Sequence, residues 1–270
     1  MRPHHLVIPF IVLFLGYYNP SLAQGKLEGA KKQVSKPTTG TKSSPKEDSG
    51  SESSSSSAFL AEVLMYATYG AAIGVYGLEP HLYNSLTDYP YKEDSRGNYS
   101  SLQFVPDARD FRVDIKNQFL VSDRLYGNHL ELRVRPLRYF YAQVDYTELI
   151  EPKVGESGVD NLSIINTTFC YDRVRTESFN LGWLLGVRYV GGGIDQTGFV
   201  YGLQMEYFSK INISIYSSIK GGFISDRGVS EFEFSGRYHL NRMYLSAGIQ
   251  SVGLSTVNFN FFSTGLGIYL

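Results

Sequence analysis

Residues 230–250 read SEFEFSGRYHLNRMYLSAGIQ. Phe232, Phe234, Gly236, Tyr238 and Leu240 take one set of alternate positions; Glu231, Glu233, Ser235, Arg237 and His239 take the other. Side chains of an extended chain point to opposite faces in turn, so this stretch is a strand with a ring-bearing face and an ionic face. The period of two runs from Asp110 to the end of the chain. It predicts about ten strands, near 110–121, 128–137, 139–148, 162–173, 179–190, 197–208, 212–224, 230–240, 243–253 and 259–270. SDRLYGN, IEPKVGESGVDN, VGGGIDQT and SDRGVS read as longer connections, VRTES as a shorter one. Those at Leu137–Arg138, Lys210–Ile211 and Asn241–Arg242 are very short. This alternation predicts an up-and-down meander with two unlike ends.

Alternation alone does not say which face is inside, since a soluble lipocalin-like barrel also alternates. The polar face carries interleaved charges of both signs: Arg112, Asp114, Lys116, Glu131, Arg133, Arg135, Asp145, Asp172, Arg188, Glu206, Lys220, Glu233 and Arg237. It also carries Gly182, Gly186, Gly202 and Gly248. Glycine on an exposed strand face only weakens the strand, whereas in a narrow lumen it leaves room for long arginines. The apolar face (Phe111, Val113, Ile115 and Phe119 on the first strand; Phe179, Leu181, Trp183, Leu185, Val187 and Tyr189 on the fifth) holds more bulk than one small lumen accepts. Tyr139, Tyr189, Tyr207 and Tyr244 lie near strand ends, where an interfacial girdle places amphipathic rings. The expected arrangement is therefore lipid outside and a charge ladder inside.

The last strand reaches the final residue as FFSTGLGIYL. Phe262, Leu266, Ile268 and Leu270 share one face, and Ser263 and Gly265 precede the closing pair Ile268 and Leu270. This ending resembles the C-terminal assembly signal of bacterial outer-membrane barrels, with a terminal Leu where Phe is commoner. Residues 110–270 resemble small outer-membrane β-barrels of Gram-negative bacteria, and CYDRVRTESFNLGWLLGVRYVGG is similar to stretches in uncharacterised members of that group. The resemblance implies a closed antiparallel barrel in the outer membrane. Its partners would be outer-membrane lipid and the barrel-assembly machinery. It implies no activity.

Upstream, MRPHHLVIPFIVLFLGYYNPSLAQ has a basic start, an apolar run and Ser21-Leu22-Ala23 before a cut, the pattern of a secretory signal peptide over residues 1–23. Residues 24–57, with SGSESSSSS, read as a disordered linker. Residues 58–108 read as a helix followed by an irregular segment. In the helix, 58–77, Leu60, Val63, Leu64, Ala67 and Ala71 form an amphipathic stripe. It is expected to rest on the membrane or the barrel, or to meet a periplasmic partner. The barrel domain is 109–270.

Composition narrows the function. A net charge of −1 over 270 residues recruits no nucleic acid, and one cysteine, Cys170, excludes disulfides and thiolate metal sites. Cys170 reads as a packed thiol. Aromatics make up 14% of the chain, with 21 Tyr against one Trp, which suits a barrel with interfacial rings better than an ordinary soluble domain. GGGIDQTG lies between strands with no helix after it, so it is no phosphate cradle. No GxSxG or HExxH is present. The catalytic candidates, His129, His239, Asp123, Asp160, Asp195 and Asp226, fall at different ends: His129 is expected beside Asp123 at one rim, and His239 at the other. No catalytic, cofactor or metal site is predicted, and the expectation is no enzyme. The leading reading is a structural or interaction barrel with a side-chain-filled lumen. The alternatives are a narrow pore or passive transporter, and a secreted soluble barrel binding an apolar ligand.

Overall fold

The structure is a computed structural model that describes residues 25–35, 84–92, 95–100, 111–137, 139–153, 158–225 and 227–270. The signal peptide expected at 1–23 and the helix expected at 58–77 lie outside the described residues. Among the described residues, one helix, α1 (Lys26–Ser35), and two short strands, β1 (Ser85–Leu86) and β2 (Tyr99–Ser100), precede the long strands. These are β3 (Arg112–Ser122), β4 (Leu125–Arg135), β5 (Phe140–Pro152), β6 (Val159–Arg175) and β7 (Phe179–Val190). They continue with β8 (Gln196–Phe208), β9 (Ile213–Ile224), β10 (Arg227–Leu240), β11 (Met243–Leu254) and β12 (Val257–Tyr269).

Ten strands, β3 to β12, form one closed antiparallel barrel in chain order. The seam joins β12 to β3, from Phe262 opposite Val121 to Tyr269 opposite Asp114. Closure pairs every strand on both edges, which hydrocarbon demands because no water is there to satisfy a free N–H or C=O. The strands run 11 to 17 residues, longer than the roughly 10 that a tilted transmembrane strand needs.

The period of two assigns the faces as expected. Phe111, Phe119, Phe169, Leu245 and Phe262 are each at least half exposed on the outer wall, while Arg112, Lys116, Arg133 and Arg188 are at most 5% exposed. In water such an apolar wall would be a large liability; against acyl chains it costs nothing. The architecture is that of an outer-membrane-type transmembrane β-barrel. A soluble barrel with an apolar lumen does not fit it.

Several expectations change in detail. The connections are shorter than the polar stretches suggested. SDRLYGN reduces to a two-residue turn at Asp123–Arg124, and SDRGVS to the short gap between the end of β9 at Ile224 and the start of β10 at Arg227. Polar side chains there continue the strand ladder, and Arg124, Asn241 and Ser255 absorb the turn with left-handed φ values of 56°, 54° and 56°. The two ends therefore differ little in turn length. Tyr244 is no girdle residue: it lies on the inward parity and is 4% exposed. The inner glycines matter for another reason than expected. A Cβ on Gly202 or Gly248 would strike the backbone carbonyl of Ile219 or Phe234 on the next strand, so these glycines permit close strand approach, not arginine access. Residues 26–35, read as linker, form α1 instead. Leu27, Ala30 and Val34 repeat at helical spacing and are buried by the barrel. The stretch read as irregular contains the small β1–β2 hairpin.

Lipid contact makes the cost of an outward charge depend on depth. Leu130→Arg, near the middle of β4, should destabilise the barrel by about 2–4 kcal/mol, and Leu240→Arg at a strand end by about 0–1 kcal/mol. Urea unfolding from lipid vesicles measures both, and equal costs would contradict the assigned outer face.

Candidate functional site

The charges that alternate along the strands converge in the lumen. All thirteen expected ladder residues are buried. They form three tiers, described from the mouth where β3 begins and β12 ends (the terminal mouth) to the opposite, far mouth.

At the terminal tier Arg112 pairs with Asp114 at 2.7 Å, and Arg135 bridges Asp114 at 3.3 Å and Asp172 at 2.9 Å. Arg237 pairs with Glu206 at 3.1 Å. In the middle tier Lys116 sits 3.1 Å from Glu131 and 2.8 Å from Glu233, and Arg133 lies 2.8 Å from Glu131. Towards the far mouth Lys220 meets Asp145 at 2.5 Å and Arg188 meets Glu231 at 2.6 Å. A charge taken out of water needs such a partner, because its desolvation cost exceeds anything else in the site.

Many of these bonds cross the lumen. Arg133 on β4 donates to the Tyr216 hydroxyl on β9 at 2.8 Å, and these strands stand opposite each other in the ten-strand ring. The Arg237 guanidinium stacks 3.8 Å over the same ring, and Arg135 lies 3.9 Å over Tyr141. Three cavities between these side chains measure about 10 Å³ each, room for about one water.

Some members were not in the expected set. Glu231 and Asn166 complete the Arg188 site, with Arg188 donating to Asn166 at 2.7 Å. Arg175 turns inward because a bulge between Asp172 and Val174 shifts the register of β6; strict alternation would have sent it outward. Tyr141, on the polar parity of its strand, and Tyr216 also present hydroxyls to the ladder. Cys170 is packed, within 3.6 Å of the Thr168 hydroxyl, as expected.

Chain from outside the barrel strands packs into both mouths. At the terminal mouth the β1–β2 hairpin inserts: Tyr99 donates to Asp172 at 2.7 Å, Asn84 donates to the Arg175 carbonyl at 2.7 Å, and Arg112 donates to Asn98 at 2.8 Å. Tyr91 follows, donating to the Ile213 carbonyl at 2.7 Å, with its own hydroxyl pKa pushed up to about 12 by burial. At the far mouth α1 seats against an apolar ring that includes Leu120, Leu149, Leu162, Ile224 and Phe261.

Asp226 lies outside the described residues, and among the described ones the catalytic candidates do not assemble. His129 lies inside the lumen, 2.8 Å from the Thr147 hydroxyl, rather than at the rim with Asp123. His129, Glu131 and Glu233 place ligand atoms within 4.8 Å of one another, but the Lys116 ammonium already bridges both carboxylates and Arg133 pairs with Glu131 as well. A divalent cation would have to expel it, so this is a poor metal centre. At the terminal mouth Ser214 bonds Glu206 at 2.6 Å and His239 at 2.8 Å. A nucleophilic triad needs the histidine between serine and carboxylate. Here the serine is in the middle, and Tyr91, Phe208, Tyr244 and Tyr269 pack around the histidine ring.

No family model and no curated protein matches the chain. Among solved structures it is similar to the Yersinia pestis outer membrane protein Ail in a phospholipid bilayer nanodisc. The identity is 12%, over 59% of this chain and 99% of that one, with a TM-score of 0.35. The N-terminal β-barrel domain of Pseudomonas aeruginosa OprF gives 9% identity, 59% and 97% coverage and a TM-score of 0.30. Neisserial surface protein A gives 16%, 58% and 94%, and 0.28. At these identities and scores no activity passes from those proteins to this chain.

Removing one member of a buried pair leaves an uncompensated charge. Lys116→Met should therefore cost about 3–5 kcal/mol, and the double variant Lys116→Met, Glu233→Gln should recover part of that loss. Denaturant titration checks it; additive losses in the double variant would mean the two do not interact.

Proposed function

We propose that this protein is an integral outer-membrane barrel with a structural or interaction role, and that its lumen is neither a channel nor an active site. The observation that carries the reading is the set of bonds spanning the lumen, above all Arg133 to Tyr216 between opposed strands. Salt bridges and hydrogen bonds that tie strands across the ring support a lumen without a continuous water path, and their signs nearly balance. A pore needs weak, replaceable sites along an open path. An enzyme of this class needs a reacting constellation open to substrate, and the nearest one, Ser214 with His239, is both misordered and covered.

In this reading the terminal mouth faces the periplasm, since both ends of the barrel strands lie there and secretion delivers the chain from that side. Ser263 and Gly265 face inward on β12, while Ile268 and Leu270 face outward, available to the assembly machinery as the barrel closes. Residues 58–77, by their apolar stripe, are the part of the chain offered to a periplasmic partner. Lipid fills the role of solvent for the outer wall.

Conductance across planar bilayers tests the reading. The reconstituted protein should give no discrete ion-sized steps at voltages that leave the bilayer intact. Reproducible steps whose selectivity changes with Arg133→Glu would replace it with a narrow pore.

A further inference from the structure

The two rims of the barrel carry charge differently. At the far rim Asp123 precedes Arg124 and Asp226 precedes Arg227, so each of these cations has an acid as its chain neighbour. At the terminal rim the turn from β8 to β9 (Ser209, Lys210, Ile211, Asn212) and the turn from β10 to β11 (Asn241, Arg242) each hold one cation and no acid. The connection from β4 to β5, with Leu137 and Arg138, has the same make-up in sequence. The fourth, from β6 to β7, holds Glu177, which has a partner of its own.

The two cationic turns are pinned in place. The His239 N–H donates to the Asn212 carbonyl at 2.8 Å, and the Tyr269 N–H donates to the Arg242 carbonyl at 2.8 Å. Asn212 and Asn241 take left-handed φ values of 57° and 54°. The side chains of Lys210 and Arg242 are exposed, and among the described residues neither pairs with a carboxylate. The Tyr89 ring lies 5.8 Å from the Arg242 guanidinium carbon and leaves its N–H groups free to donate.

Turns this short cannot lift a cation far above the wall. Ile211, 70% exposed, adjoins Lys210, and Met243, 47% exposed, adjoins Arg242. Ile213, Tyr238 and Leu240 continue the apolar surface down the outer face, and Tyr207 flanks it. An aliphatic group at a turn apex suits a boundary where it enters the acyl region while the neighbouring ammonium reaches up to the headgroups. Tyr207 and Tyr238, near the ends of their strands, stand where amphipathic rings collect. The turns are two strand spacings apart, roughly 10 Å. Two unpaired cations therefore sit at headgroup depth above a continuous apolar wall.

We propose that this part of the terminal rim is a docking site for an anionic phospholipid, its phosphate held by Lys210 and Arg242 and its acyl chains laid along Ile213, Tyr238 and Met243. A zwitterionic lipid offers the same phosphate but adds an ammonium that both cations repel, so the site selects net negative charge. In the proposed orientation the lipid belongs to the inner leaflet, but binding itself does not depend on that orientation or on a closed lumen.

The test is native mass spectrometry of the full chain in detergent micelles, titrated with phosphatidylglycerol or phosphatidylcholine. Phosphatidylglycerol should bind at least tenfold more tightly. Lys210→Gln and Arg242→Gln should each weaken its binding about fivefold, as expected for loss of one basic residue at a charged membrane surface. Binding of phosphatidylcholine should change little, and Arg124→Gln at the far rim should change neither. Migration on an unboiled gel shows that each variant is folded; Lys210→Met and Arg242→Met replace any that is not. Equal affinity for the two lipids, or glutamine variants that bind like the unaltered protein, overturns the proposal. Displacement of phosphatidylglycerol by inorganic phosphate at equal concentration would reduce the site to a general anion site and overturn the lipid assignment. None of these outcomes bears on conductance, so failure here leaves the closed-lumen reading standing, and conductance steps would leave the lipid site standing.

Discussion

A wall one strand thick separates two media that tolerate opposite things. Acyl chains accept rings and aliphatic groups but no unpaired charge, and the ring of strands accepts no free backbone edge. Once the apolar parity faces out, every Arg, Lys, Asp and Glu on the other parity is committed to a narrow interior. Each must then find an opposite charge within reach. The ladder from Arg112 to Arg188 is the consequence, and so is the crowding of the lumen: side chains long enough to find partners across the ring take up its interior.

That one constraint orders the rest of the molecule. Glycines such as Gly202 and Gly248 sit where neighbouring strands approach too closely for a side chain. Tyrosines on the inward parity give arginines a ring to lie on and a hydroxyl to donate to. The mouths, where the ladder ends, need covers of different character. The terminal mouth ends in Arg112, Asp172 and Arg175 and takes a polar hairpin. The far mouth ends in an aliphatic ring and takes an apolar helix face. In the proposed reading the surfaces left for work are the mouths and the lipid-facing wall.

Much of this is legible in the chain. The alternation from Phe111 to Leu270 suffices to place ten strands, to orient them, and to pick out the ladder members, because a period of two survives any error in strand ends. What it hides is what does not follow that period. The bulge at Asp172 re-aims Arg175, and nothing local announces it. Tyr244 sits near a strand end, as a girdle residue would, and only parity counted from Ser246 puts it inside. α1 is three apolar residues in a lysine-rich stretch, too weak a stripe to predict a helix until the apolar ring at the far mouth is there to order it. The turns were overestimated because Asn, Asp and Ser suit both a loop and the wet end of a strand.

The orientation of the wall has a built-in reporter. Trp183 is the single tryptophan of the chain, and it lies on the outward parity of β7, opposite Tyr171 and Leu203 on the neighbouring strands. In bilayers of lipids brominated along the acyl chain its fluorescence should be strongly quenched, with little effect from aqueous acrylamide. Quenching by acrylamide and indifference to the brominated chains would put the ring-bearing face in water and contradict the account.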